Sequence, residues 1–308
     1  MISLNEIGFI IGISLMYAAP LIYTALGGVM SENAGVINIG LEGMMTIGAF
    51  VGATVGYFTG NPWIAFLAAG LASGLIALIH GIASITFGAD QIVSGIAINF
   101  LGPGISLFLS RIFFSGATMT KPVPHKISRP LNGVFERNSF LDLVFNQYMT
   151  VYLAFILVVV VWFVLYKTKF GLRIRSVGEH PKAADTLGVN VYKVRYLAVI
   201  LSGVLAGFGG ASMSLALVSS FRPTLISGQG FIALAAMIFG KWKPQGAMLA
   251  CLLFGAAQGF VIYLGGTSIE ISSQVLAMVP YILTLLVLVF FVGRSTGPSA
   301  NGDPYIKN

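Results

Sequence analysis

Eight stretches of this chain, at 7–30, 43–60, 64–86, 91–114, 149–166, 195–218, 246–264 and 274–292, are apolar over close to the length a helix needs to cross a bilayer. About 20 such residues cover the hydrocarbon core, because each helical residue rises only ~1.5 Å. A ninth, shorter stretch at 224–240 is apolar mainly in its second half. Lipid offers no partner to a backbone N–H or C=O, so continuous apolar runs must close their own hydrogen bonds as helices. The expected fold is all-α: a polytopic membrane protein of about nine transmembrane helices (range 8–10) with broken or re-entrant segments. One membrane domain would cover 1–308.

Composition closes off the soluble alternatives. Only 9% of the residues are charged, against roughly a quarter in a soluble domain, and so few cannot cover a globular surface. The net charge of +7 is spread over span ends and loops rather than over one soluble face, which argues against nucleic acid. The single cysteine, Cys251, lies in an apolar run, so neither a disulfide framework nor a cysteine metal site is expected. The opening MISLNEIGF carries no basic region and no cleavage site, so the first span is expected to stay in the protein.

Residues 167–195, KTKFGLRIRSVGEHPKAADTLGVNVYKVR, are a water-loving loop between two long apolar runs, and they carry seven Lys and Arg. Cationic loops stay on the cytoplasmic side. With this loop inside and nine crossings, the tail 293–308 falls inside, and the N-terminus and the segment 115–147 fall outside. Eleven cations are then internal, among them Lys241, Lys243, Arg294 and Lys307. Six are external: Arg111, Lys121, Lys126, Arg129, Arg137 and Arg222. Within the loop, His180-Pro181 opens a short helix and Gly188 closes it, since Pro suits the first helical position and Gly the left-handed residue past the end. A rigid peg held between two spans is something another protein can push.

The spans are rich in glycine at four-residue spacing: Gly48, Gly52 and Gly56; Gly70 and Gly74; Gly203 and Gly207; Gly255 and Gly259. Such stripes let helix backbones approach in lipid, where the hydrophobic drive between helices is small. Two segments break the apolar pattern, SENAGVINIGLEG at 31–43 and SSFRPTLISGQG at 219–230. Irregular backbone at membrane depth requires protein or a water-filled cavity around it, and a pair of such breaks points to a transport pathway. No phosphate-binding loop, zinc-protease helix or nucleophile elbow occurs, and His80, His125 and His180 lie far apart in the topology. An enzyme is not expected.

ENAGVINIGLEGMM at 32–45, DQIVSGIAINF at 90–100, VGEHPKAADTLGVNV at 177–191 and the run from Gly203 through Gly246 resemble the permease subunits of bacterial ABC importers. The group is the branched-chain amino acid and simple-sugar permease family, and the first motif is most similar to its nucleoside-import branch. The resemblance implies a pathway at an interface of two permease subunits, the second a longer paralogue. It further implies a cytoplasmic ABC ATPase that uses ATP, an extracytoplasmic lipoprotein binding protein, and residence in the bacterial cell membrane. This chain would hold no cofactor. Gly178, Glu179, Pro181, Ala183, Ala184, Gly188 and Val189 match the family element that docks in the ATPase. The residues themselves suit that role: Ala183 and Ala184 permit close approach, and Glu179 near the helix start suits the dipole.

The pathway candidates are Asn38, Glu42, Asp90, Gln91, Asn99 and Gln258, with His80 and Gln274 as further polar groups in the spans. Ionisable groups at depth cost several kcal/mol unless paired or hydrated. Asp90 and Glu42 read equally as helix caps, and His80 as a satisfied interior histidine. A hydroxyl-rich neutral solute such as a nucleoside favours the amides; a simple sugar or a riboflavin-like vitamin fits the same chemistry. The competing reading is a secondary transporter coupled to protons or ions through Glu42 or Asp90.

Overall fold

The computed structural model describes residues 3–266, 272–290 and 296–307. The helices are α1 (Leu4–Glu32), α2 (Leu41–Thr59), α3 (Pro62–Gly81), α4 (Gln91–Phe113), α5 (Phe140–Phe145), α6 (Met149–Lys167), α7 (Lys169–Glu179), α8 (Pro181–Thr186), α9 (Val191–Ser212), α10 (Gln229–Phe239), α11 (Pro244–Gly265) and α12 (Ser273–Phe290). One π turn extends α3 through Ile82–Thr86 and another extends α9 through Met213–Leu217. No strand occurs among the described residues.

Local signals explain where several helices begin. The Ser3 hydroxyl accepts from Glu6 N at 3.2 Å while Ser3 N donates to the Glu6 carboxylate at 2.6 Å, a reciprocal cap. Asn61 caps α3 ahead of Pro62, and Asp90 caps α4 by accepting from Val93 N at 2.9 Å.

Seven helices among the described residues are long and apolar enough to cross a membrane: α1, α2, α3 with its π turn, α4, α6, α9 with its π turn, and α11. The chain is therefore a multi-pass membrane protein. The stretch expected at 224–240 differs from a full crossing. Only Gln229–Phe239 is helical there, 11 residues or about 16 Å, roughly half the hydrocarbon thickness. Its first half is irregular because Pro223, Gly228 and the polar residues around them do not sustain a helix. Arg294 and the last two residues of the 274–292 stretch lie outside the described residues.

Helix α9 is the axis of the bundle, packed against α1, α2 and α3. The most apolar windows of α2 and α9 are 72% buried and that of α4 only 22%, which places α4 at the periphery. The glycine stripes make this packing possible. A Cβ on Gly48 would strike the Gly207 carbonyl, and one on Gly210 would strike the Met45 carbonyl. Gly255 and Gly259 press in the same way on Ser14 of α1.

Contacts sort the chain into two ends. At one, Tyr263 of α11 donates to Glu6 at 3.2 Å, and α5 packs on the start of α1. On that side the segment 115–127 runs along the end of α9, with Thr120 N donating to Phe221 O at 3.1 Å and Val123 N to Ser219 O at 2.7 Å. At the other end, Gly178 packs on the turn that follows α1, and Ala300 N donates to Gly178 O at 2.8 Å. The start of α1 and the loop 167–195 thus lie at opposite ends, with the tail on the loop's side.

Candidate functional site

In the break between α1 and α2 the N–H groups of 33–36 turn back onto carbonyls of α1, and the backbone from Ile37 onward needs other partners inside the bundle. Polar side chains from neighbouring helices supply them. Ile37 N donates to Gln91 Oε1 at 2.7 Å, and Ile37 O lies 3.0 Å from His80 Nε2. A carbonyl can only accept, so Nε2 carries the proton; Nδ1, 2.9 Å from Ser94 Oγ, then accepts from that hydroxyl in a neutral ring. Asn99 reads both sides of the break, donating to Ile39 O at 2.9 Å and accepting from Gly43 N at 2.9 Å. The Ser31 hydroxyl closes the turn on Val36 O at 2.7 Å.

The second break, 219–230, is tied to the first by Glu42. Its two carboxylate oxygens accept from Gly228 N and Gly230 N, each at 2.6 Å. These amides form the N-terminus of α10, where the helix dipole favours negative charge. Close approach requires glycine here, since a Cβ on Gly230 would lie 2.5 Å from Glu42 Cα.

Asn38, Glu42, Gln91 and Asn99 therefore gather around one structure, the junction of the two breaks. Asn38 is fully buried and donates to Ser202 Oγ at 2.9 Å, while its Oδ1 has no hydrogen-bond partner among the described residues. Gln91 Nε2 is in the same state. Two candidates stand apart. Asp90 is exposed at the start of α4, occupied with its cap, and Gln258 lies half-buried on α11, which packs on α1 and α10. Gln274 is exposed on α12. Ser202 was not legible as a partner, because nothing in α9 marks which serine will meet Asn38.

In the loop 167–195, α8 begins at Pro181, and Gly188 takes φ +82° just past its end. Val189 N donates to Ala184 O at 3.0 Å and Gly188 N to Asp185 O at 2.9 Å, which closes the last turn. The expected docking residues divide into two sets. Ala183 is exposed, whereas Ala184 is buried, Pro181 and Val189 are half-buried, and Gly178 is wedged against the Asn33 carbonyl. Glu179 is the last residue of α7 and binds the tail instead of capping α8: Ser299 Oγ donates to it at 2.8 Å. Leu187, absent from the sequence-derived set, is 84% exposed beside Ala183.

A groove of about 720 Å³ runs between α8 and the tail, lined by His180, Lys182, Ala183, Pro304 and Ile306 among others. Beneath it, Tyr192 OH donates to Tyr305 O at 3.1 Å, and Lys307 pairs with Asp185 at 3.4 Å. Desolvation holds the Tyr305 phenol above the usual tyrosine range, and the neighbouring Asp185 carboxylate adds to it.

Comparison with known proteins agrees with this architecture. Residues 10–290 match the family described as branched-chain amino acid transport system / permease component. The guanosine ABC transporter permease protein NupQ of Bacillus subtilis is 48% identical over 98% of this chain and 97% of its own length. The nucleoside ABC transporter permease protein NupC of Lactococcus lactis is 42% identical over 99% and 98%. A second guanosine ABC transporter permease protein of the same Bacillus, NupP, is 24% identical over 92% of this chain and 80% of its own length.

Proposed function

The chain belongs to the branched-chain amino acid transport system permease component family, and we propose that it is one permease subunit of an ABC importer for nucleosides. The observation that carries this is the end-to-end similarity to NupQ and NupC, both named as ABC permeases for nucleosides. Bacillus subtilis holds two guanosine permeases that both resemble this chain, which supports pairing with a longer paralogue. In this reading the loop 167–195 is cytoplasmic, ATP is bound and hydrolysed by a separate ATPase subunit, and a lipoprotein binding protein delivers solute at the opposite face.

The geometry fits a two-stroke device. The ATPase presses on Ala183, Leu187 and the groove beside them, and α8 passes the displacement through α7, whose Gly178 packs on the turn after α1. That turn leads into the junction where Glu42 joins both breaks. Opening the junction exposes unspent amide groups of Asn38 and Gln91 to a hydroxyl-rich, uncharged solute, which needs hydrogen bonds and no charge partner. Proton coupling is disfavoured because Asp90 is a surface cap and Glu42 is engaged by two N–H groups.

The test is uptake of labelled guanosine, uridine, glucose and riboflavin in a strain lacking this gene, with and without the gene restored. Restored guanosine uptake that survives collapse of the proton gradient while ATP stays high supports the reading. Uptake that collapses with the gradient supports a secondary transporter and refutes it.

A further inference from the structure

We propose that residues 296–307 are a tether that makes α8, the turn after α1 and the end of α10 a single mechanical unit, with Glu32 and Arg195 as its positioning residues. This rests on the importer reading above. It is needed because α8 is weakly held by itself: six residues long, it buries only Ala184. A push on so slight a helix would be lost in bending the loop unless something braced it.

The tail supplies the brace at three places. On α7 and α8, Ala300 N donates to Gly178 O at 2.8 Å, Ser299 Oγ to Glu179 at 2.8 Å, and Lys307 pairs with Asp185 at 3.4 Å. At the end of α1, Asn301 Nδ2 donates to Glu32 Oε2 at 3.0 Å. That same oxygen accepts from Trp242 Nε1 at 2.5 Å, just past α10, while Asn33 Nδ2 donates to Trp242 O at 3.1 Å. Lys241 and Trp242 both turn through positive φ, 55° and 54°, a conformation bulky residues avoid unless they are held in it. One carboxylate therefore fastens the tail, the first break and the base of α10 together.

The third place is Arg195, at the base of α9. An arginine at a span end ordinarily reaches for water, yet Arg195 is 1% exposed. It donates to Asp303 O at 2.9 Å, and its Nε and Nη2 have no hydrogen-bond partner among the described residues. The guanidinium lies beside Gly35, where a Cβ would come 3.0 Å from both Arg195 Nη2 and Ala300 O, so the first break, the tail and Arg195 meet at one point. A buried guanidinium with spare donors is costly, and a tail that only packed on a surface would not sustain that cost.

The experiment uses the complete importer in proteoliposomes, with labelled guanosine and loaded binding protein. Ser299→Ala/Asn301→Ala and, separately, Glu32→Gln, which keeps the size but weakens the shared acceptor for Asn301 and Trp242, are compared with wild type for guanosine moved per ATP hydrolysed. The tether predicts that ATP hydrolysis continues while guanosine per ATP falls about tenfold, the scale of an ordinary coupling free energy. A merely structural tail would lower the amount of assembled complex and leave that ratio unchanged in both variants, which overturns the proposal. Wild-type complex that hydrolyses ATP and moves no guanosine overturns the nucleoside importer reading itself, and the tether falls with it.

Discussion

The Glu42 carboxylate and Gly230 N–H meet at 2.6 Å across 188 residues of chain, and through this bond the two irregular segments of the membrane domain become one junction. Neither partner does anything similar within its own helix. Glu42 lies in the first turn of α2 yet caps α10, whose own cap position, Gly228, offers no side chain. The positions of both breaks therefore depend on each other.

Replacing Glu42 with Gln keeps the size and removes the charge, so at most one amide retains an acceptor. A hydrogen bond to a charged group contributes about 1.5–3 kcal/mol, and Glu42→Gln is expected to lower thermal stability by that order and reduce uptake. Gly230→Ala should do the same by displacing the Glu42 backbone. Because both changes break one contact, the double variant should cost clearly less than the two single costs together. Additive losses in a thermal-shift measurement would show that the contact is not shared.

Leu187→Glu alters an exposed side chain, so the chain should insert normally with stability within about 0.5 kcal/mol of wild type. Copurification with the ATPase should be lost. Ala184→Phe, at a buried position, should instead reduce the yield of folded protein. Retention of the ATPase by Leu187→Glu in a pull-down would remove Leu187 from the docking surface.

Asp90→Asn weakens a cap and nothing else, a change on the order of 1 kcal/mol or less. Uptake should remain close to wild type across pH 6–8. Abolished uptake in normally assembled protein would place Asp90 on the solute or proton path and revive the secondary-transporter reading.

Gln91→Leu removes the acceptor for Ile37 N inside the bundle. Leaving a buried donor unsatisfied costs about 1–3 kcal/mol, to be read as a lower unfolding temperature in detergent. Gln91→Glu keeps an acceptor but brings an ionisable group to a buried position, so it should not recover the loss at neutral pH; full recovery would show that water reaches the site.

Much of this was legible in the sequence, for reasons that differ from element to element. The long spans are readable because twenty apolar residues in lipid have one stable conformation. The ends of α8 are readable because Pro181 and Gly188 act through their own backbone preferences. The stripes of glycine announced close packing, although not that Gly48 would face Gly207. The 224–240 stretch has the apolar content of a crossing, but its helix is only the 11 residues Gln229–Phe239, and the acceptor for the amides at its start is Glu42, far away in the chain. The docking face was read as a block of residues. A six-residue helix has a back as well as a front, and Ala184 lies on the back of α8, while Gly178 belongs to α7 and packs on Asn33.

Sequence alone determined the membrane class, the ends of α8 and the polar character of both breaks, because these follow from lipid and from signals within one turn of chain. Only the tertiary structure decided what each polar group does. Gln91 finds its partner 54 residues away and Glu42 finds one 186 residues away, and Arg195, an orienting cation in the sequence, is buried and donates to Asp303 O of the tail. A hydrogen bond is directional and short, so its partner is chosen by how helices pack, and residue spacing along the chain carries no record of that choice.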